Sequence, residues 1–287
     1  MIKMAVVSGK GGTGKTMVSA ALADLNPDSQ ILADCDVEAA NLRLLLNAEL
    51  QGQEPFYGLE AALIDQELCI SCGTCFDNCR FGAISEEDGR YEVQTMHCEG
   101  CAVCELVCPE DAIKMVKVQN GELFVSKTNH GTLVHARLYP GSGTSGLLVS
   151  QVKGKAEELA ENPRWMLVDG PPGTGCPLIA TVSGMDAVLV VTEPSVSALH
   201  DLKRVVNVSR RFGPKIAVVI NRFDLEPEIC QRIRDYCEEE GLAVVGEIPF
   251  DPQVVEAVRQ GLPISRCGGP ASEAMKPVWD AINRELI

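Results

Sequence analysis

No stretch of this 287-residue chain reaches the roughly 18 consecutive apolar residues that a membrane-spanning helix needs. The amino terminus, MIKMAVVSGKGG, carries only a short apolar run that ends in glycines, with no apolar segment of signal-peptide length. These two absences lead to the expectation of a soluble, cytoplasmic protein. Basic charge is also scarce: 25 Lys and Arg stand against 40 Asp and Glu, a formal net charge of -15. Such a field repels nucleic-acid phosphates and anionic lipid surfaces, so no direct nucleic-acid or membrane binding is expected.

Cysteine, by contrast, is abundant. Thirteen occur, eight of them between residues 69 and 108. Without an export signal the thiols stay reduced, and this points to metal or redox chemistry in place of disulfides.

Along the chain, apolar runs of strand length (IKMAVVS, QILADCD, WMLVDG, DAVLVVTEP, KIAVVINR, LAVVGEIPF) alternate with helical patterns such as TGKTMVSAALADL, SALHDLKRVVNVSRRF and EICQRIRDYCEEE. That alternation predicts an α/β fold with a mostly parallel, doubly wound sheet. It stops between residues 60 and 118, where cysteines, glycines and short apolar pieces take over, and resumes near ELFVSKTNHGTLVHARL, a strand pair around NHG. Residues 60–118 are therefore expected to form an inserted small α+β domain, leaving 1–59 and 119–287 as one α/β domain of normal size. The carboxyl-terminal ASEAMKPVWDAINRELI sets Met275, Trp279, Ile282 and Leu286 near one helical face, as in a packed terminal helix.

GKGGTGKT, residues 9–16, fits G-x-x-x-x-G-K-[ST] between a strand and a helix. In that setting backbone N–H groups of Gly11, Gly12, Thr13, Gly14 and Lys15 cradle phosphates, Lys15 reaches the β- and γ-oxygens, and Thr16 holds Mg²⁺. With its second lysine, Lys10 after Gly9, the loop resembles the deviant phosphate loop of the MinD, ParA and Mrp ATPases, including nitrogenase iron protein. The resemblance covers the chain outside the insertion and implies that Lys10 reaches a partner subunit's nucleotide in an ATP-dependent homodimer or a pair of paralogues. DCDVEAANL resembles the family's first switch, implying that Asp36 orients the attacking water and Asp34 lies near the metal. WMLVDGPPGTG resembles its second switch, implying Asp169 on Mg²⁺ through water and Gly173 at the γ-phosphate. VVINR and IPFDP resemble the adenine-side loops, with Asn221 and Arg222 at the base and Pro249 and Asp251 bordering it.

CISCGTCFDNCRFGAI at residue 69 and CEGCAVCELVCPEDAI at residue 98 share the spacing C-x₂-C-x₂-C-x₃-C, and every cysteine has a counterpart 29 residues on. Ala83 and Ile84 likewise recur as Ala112 and Ile113. Paired C-x₂-C units also suit zinc, but the dense run with proline after its last cysteine resembles two-cluster bacterial ferredoxins. That resemblance implies two [4Fe–4S] clusters, one on Cys69, Cys72, Cys75 and Cys108, the other on Cys98, Cys101, Cys104 and Cys79. Arg80 stands where the second repeat has Pro109, and the first motif's backbone is expected to be less fixed. The insertion holds twelve acidic and four basic residues, net -8, which favours a basic redox partner.

Cys176 follows the second switch, where nitrogenase iron protein ligates a shared cluster, but no second cysteine lies between it and Cys108. Cys35, Cys230, Cys237 and Cys267 show no ligand spacing, His200 and Asp201 open a helix, and His130 and His135 receive no role. Three functions are compatible with these features: an ATPase coupling dimerisation to electron transfer, an Mrp-type cluster carrier, and a MinD- or ParA-like organiser with redox-sensing clusters.

Overall fold

Four consecutive apolar residues, Met4 to Val7, make β1 (Ile2–Ser8) a strand buried on both faces, the pattern of a parallel sheet covered by helices. The structure, a computed structural model, describes residues 1–286. After β1 the chain runs through α1 (Lys15–Leu25), β2 (Gln30–Asp34), the short α2 (Leu42–Leu45) and β3 (Glu49–Ile64). Next come α3 (Thr74–Asp77), β4 (Ile84–Glu87), β5 (Arg90–Val93), α4 (Val103–Leu106), β6 (Ile113–Thr128) and β7 (Gly131–Leu138). The remainder is α5 (Ser145–Glu158), β8 (Trp165–Pro172), α6 (Cys176–Val182), β9 (Ala187–Thr192), α7 (Val196–Arg210), β10 (Lys215–Asn221), α8 (Pro227–Glu239), β11 (Ala243–Ile248), α9 (Gln253–Gln260) and α10 (Pro270–Glu285). Among the described residues no helix is long and apolar enough to cross a membrane.

The chain divides into two compact units, Met1–Glu54 with Leu123–Arg137 and Gly146–Ile287, and Pro55–Glu122 with Leu138–Ser145. The strand order is β11-β10-β9-β1-β8-β2-β7-β6-β3, and the pairs from β11 to β7 are parallel. This is the mostly parallel α/β sheet the alternation predicts. All six apolar runs form strands, and β6 turns into β7 at Asn129 and His130 of NHG. The terminal helix packs as its periodicity requires: Met275, Trp279, Ile282 and Leu286 are buried, and the Trp279 ring lies 5.2 Å from that of Trp165.

The expected boundaries at 60 and 118 fall inside strands. β3 and β6 are each 16 residues long, and the chain passes from one unit into the other within them. Pro55, Gly52 and Gly58, residues depleted from strands, hide β3 in the sequence.

In the second unit the core is small: Ala62, Ile64, Cys75, Ile84 and Ile113, with five more cysteines packed in part against it. The 29-residue repeat is visible in the backbone. Left-handed residues recur at Ser71 (φ 54) and Gly100 (φ 65), at Gly73 (φ 76) and Ala102 (φ 60), and at Gly82 (φ 61) and Asp111 (φ 51). Hydrogen bonds recur with them: Cys79 N–H donates to Phe76 as Cys108 does to Glu105, and Gly82 to Cys79 as Asp111 does to Cys108. The turn at Arg80 thus has the same bonds as the turn at Pro109, and the looser backbone expected of the first motif is not seen.

One histidine left without a role, His135 on β7, is buried in the first unit. Its Nε2 lies 3.1 Å from Ser126 Oγ, and its ring stacks on Phe124 at 5.0 Å. Burial, helped by the positive charge of Arg43, pushes its pKa down to about 4. Between the ordinary value near 6.5 and that figure, the unfolded chain binds a proton that the folded chain refuses, so stability falls as pH drops through this window. His135→Gln, which keeps a hydrogen-bonding side chain at Ser126 without a titration, should flatten the loss between pH 7 and 5 by an amount of order 1 kcal/mol. Denaturant melts at the two pH values check it; equal slopes in both proteins would refute the assignment.

Candidate functional site

The loop Gly9–Thr16 joins β1 to α1, and all of its glycines but Gly11 are constrained sterically. Gly12 (φ 80) and Gly14 (φ 91) are left-handed, and a Cβ on Gly14 would meet Asn221 Nδ2 at 2.3 Å. Asn221, at the end of β10, instead donates that amide to Thr13 O at 2.8 Å. The loop's shape is therefore set by the neighbouring strand.

Lys15, in the first turn of α1, is 6% exposed. Its Nζ lies 3.0 Å from Asp169 Oδ1 and 3.7 Å from Asp36 Oδ2. Burial opposes its charge, but Asp169, Asp34 and Asp36 together hold its pKa above the ordinary lysine value. Ser19, one helical turn on, also donates to Asp169 Oδ1 at 2.7 Å. Asp34, fully buried at the end of β2, accepts from the N–H groups of Asp36 and Leu42 at 3.1 and 3.0 Å, pinning both ends of the segment between them. Burial and then Asp169 push its pKa up to about 8, against the pull of Lys15. Asp36 is shifted upward as well, chiefly by burial. Three carboxylates thus face one ammonium, and Asp169 Oδ2 is buried with no partner. This set fits a divalent cation, which takes oxygen ligands and relieves the excess negative charge.

Lys10 is held within its own chain. Its Nζ lies 2.8 Å from Glu193 Oε1, 3.0 Å from Ser195 Oγ and 3.3 Å from Ser197 Oγ. Glu193 Oε2 in turn pairs with Arg222 at 2.9 Å. Gly173 (φ 93) donates its N–H to Ser8 O. Asp251 accepts from Gln253 and Ala271 N–H groups, a turn-fixing role at the starts of α9 and α10, and Pro249 before it is half-buried.

In the second unit the cysteines line two recesses. Cys69, Cys72, Cys75 and Cys108 border one, together with Tyr91 and Glu110. Cys79, Cys98, Cys101 and Cys104 border the other, with Phe81 and Met115. Thr74 Oγ1 lies 3.4 Å from Cys72 Sγ and lowers that thiol's pKa, while burial raises those of Cys75 and Cys104. Among the described residues no three His, Cys, Asp or Glu side chains converge on a single-ion site. A cubane asks for something else, one thiolate on each of four irons. Cys176 is exposed, Cys35, Cys230 and Cys237 are buried, and Cys267 is half-buried.

The model of the CobQ/CobB/MinD/ParA nucleotide-binding domain matches residues 4–264. The chain belongs to this family. A protein of unassigned function from Methanocaldococcus jannaschii is 30% identical over the whole chain and 98% of its own length. An iron-sulfur cluster carrier protein from Pyrococcus abyssi is 26% identical over 99% of the chain and 86% of its own length. The structure of MinD with Mg-ADP from Pyrococcus horikoshii superposes with a TM-score of 0.59 over 99% of the chain and 96% of that protein, at 18% identity. At such identity the likeness concerns the fold.

Several residues of this nucleotide-binding domain carry no motif signal. Ser19 is visible only as a small polar residue four positions after Lys15, and Glu193, Ser195 and Ser197 only as TEPSVS after β9. Asp201 packs on the phosphate loop, where a Cβ on Gly9 would meet its Cβ at 2.4 Å; its neighbour His200 is largely exposed.

Lys15→Met should leave the three carboxylates without their ammonium. A loss of about 3 kcal/mol is expected at pH 8, and a smaller one at pH 6, where Asp34 is protonated. Melts with and without Mg-ADP check this, and the stabilisation by nucleotide should vanish in the variant.

Proposed function

We propose that this protein is an ATP-hydrolysing iron–sulfur protein whose nucleotide-dependent pairing, with itself or with a paralogue, is coupled to electron transfer through two [4Fe–4S] clusters. The observation that carries the reading is the segregation of eight cysteines into two four-cysteine recesses, each taking three from one repeat and one from the other. In this reading residues 60–118 are the ferredoxin-like insertion. Cys69, Cys72, Cys75 and Cys108 hold one cluster, and Cys98, Cys101, Cys104 and Cys79 hold the other. The clusters supply one-electron transfer, and the insertion's acidic charge suits a basic redox partner.

On the nucleotide side, Lys15 exchanges Asp169 for phosphate oxygens, which frees that carboxylate, with Thr16, for Mg²⁺. Asp36 orients water. Lys10 leaves Glu193 to reach the partner subunit's nucleotide, so the ion pair Lys10–Glu193 belongs to the unpaired state. The first switch, Asp34 to Leu42, precedes the insertion by fewer than twenty residues, and a γ-phosphate that reorders it biases the segment leading there.

A second reading, a cluster carrier, is supported by the relative from Pyrococcus abyssi that carries that name. Anaerobic purification with iron and sulfide counts, then reduction of the clusters with ATP, ADP or no nucleotide, separates the two. About eight irons per chain and a nucleotide-dependent rate are expected. Identical rates in all three states would sink the coupling, and rapid loss of iron and sulfide to an apo-ferredoxin would favour the carrier.

Cross-ligation has its own test. Cys79→Ser should reduce the iron count to about four to seven per chain. Its perturbed electron paramagnetic signal should match that of Cys101→Ser and differ from that of Cys72→Ser.

A further inference from the structure

The first unit contains a recess that the nucleotide reading does not use. It has a volume of about 430 Å³, within the range of small-molecule sites. It lies off the carboxyl ends of β2 and β7, whose register sets Asp34 opposite His135. Doubly wound sheets bind ligands in crevices outside the carboxyl ends of their strands. One wall is the first-switch segment, including Glu38, with Arg43 just after it; the other is Phe124, Ser126, His135 and Arg137.

Its chemistry is unlike that of the chain as a whole. In a protein of net charge -15, two guanidiniums and a single carboxylate border this recess. Arg43 makes no side-chain hydrogen bond or ion pair among the described residues, so its donors are available to an oxyanion in the forked geometry that carboxylates and phosphates match. Phe124 and His135 add a flat face, their rings 19° from parallel. Ser126 holds that imidazole in place. The imidazole is neutral at physiological pH, so positive charge in the recess comes from the arginines.

We propose that this recess is a regulatory site for a small molecule bearing a carboxylate or phosphate group, held by Arg43 and Arg137 against the Phe124–His135 face. An occupant would act on the first switch directly. Leu42, the residue before Arg43, donates its N–H to Asp34, and Asp34 also holds Asp36. Fixing Arg43 therefore restrains the segment that carries Asp36, and linkage requires nucleotide to change the occupant's affinity in return. The coupling rests on the nucleotide reading above; the binding does not.

The probes are citrate and inorganic phosphate, titrated calorimetrically at constant ionic strength into the full chain, with and without saturating Mg-ADP. Saturable one-to-one binding of at least one anion is expected, persisting when Mg-ADP fills the glycine loop. Which anion binds tells a carboxylate site from a phosphate site. Arg43→Glu should weaken that binding at least tenfold, and Arg43→Lys should weaken it less, with melting temperatures confirming that both variants fold. Absence of saturable heat from either anion, complete displacement by Mg-ADP, or an Arg43→Glu variant that binds as tightly as the wild type would overturn the site. A threefold or larger difference in anion affinity between the Mg-ADP and nucleotide-free forms is expected from the coupling. Equal affinities would overturn the coupling while leaving the site, so the two failures are distinguishable.

Discussion

The contact between Lys15 and Asp169 organises the first unit's functional face. It ties the first turn of α1 to the central strand β8 across a fully buried carboxylate, and an unpaired charge at that depth is strongly unfavourable. Asp34 and Asp36 draw on the same ammonium, against a burial that raises the pKa of each. The segment between Asp34 and Leu42 is ordered by the two backbone N–H groups that Asp34 accepts. One ammonium against three carboxyl groups is a balance that a divalent ion and a polyphosphate, arriving together, can complete.

Glu193 extends this logic to the rim. It holds Lys10 and Arg222 at once, so the loop lysine and the residue after β10 share one carboxylate. Rearranging either changes the partner available to the other. Buried ionic groups thus form the inner layer, and a partly exposed, exchangeable set lies above it where solvent screens each pair.

Much of the parallel sheet was legible because buried strands read as continuous apolar runs, and Met4 to Val7 or Ala187 to Val191 admit little else. The glycine loop was legible because a fixed spacing serves a fixed geometry. What escaped was of two kinds. β3 and the first part of β6 carry glycine, proline and glutamine, lie largely at the surface, and bear no periodicity strong enough to announce sixteen-residue strands. Ser19, Glu193 and Ser195 act through three-dimensional proximity alone, and a serine on a helix or after a strand has many uses. The grouping of cysteines could be anticipated from their resemblance to two-cluster ferredoxins, whereas the other residues that border the two recesses, Tyr91 and Glu110 beside one and Phe81 and Met115 beside the other, could not.

The repeated left-handed positions at Ser71, Gly73 and Gly82 and at Gly100, Ala102 and Asp111 bear on how alike the two recesses are. Two recesses built on one backbone template begin as equals, and the backbone alone does not distinguish them. What distinguishes them is the side chains in which the copies diverge: Ile70 and Glu110 border the first where Glu99 and Phe81 border the second. The copies have kept the backbone, and each recess keeps one carboxylate and one large apolar side chain at exchanged positions of the repeat.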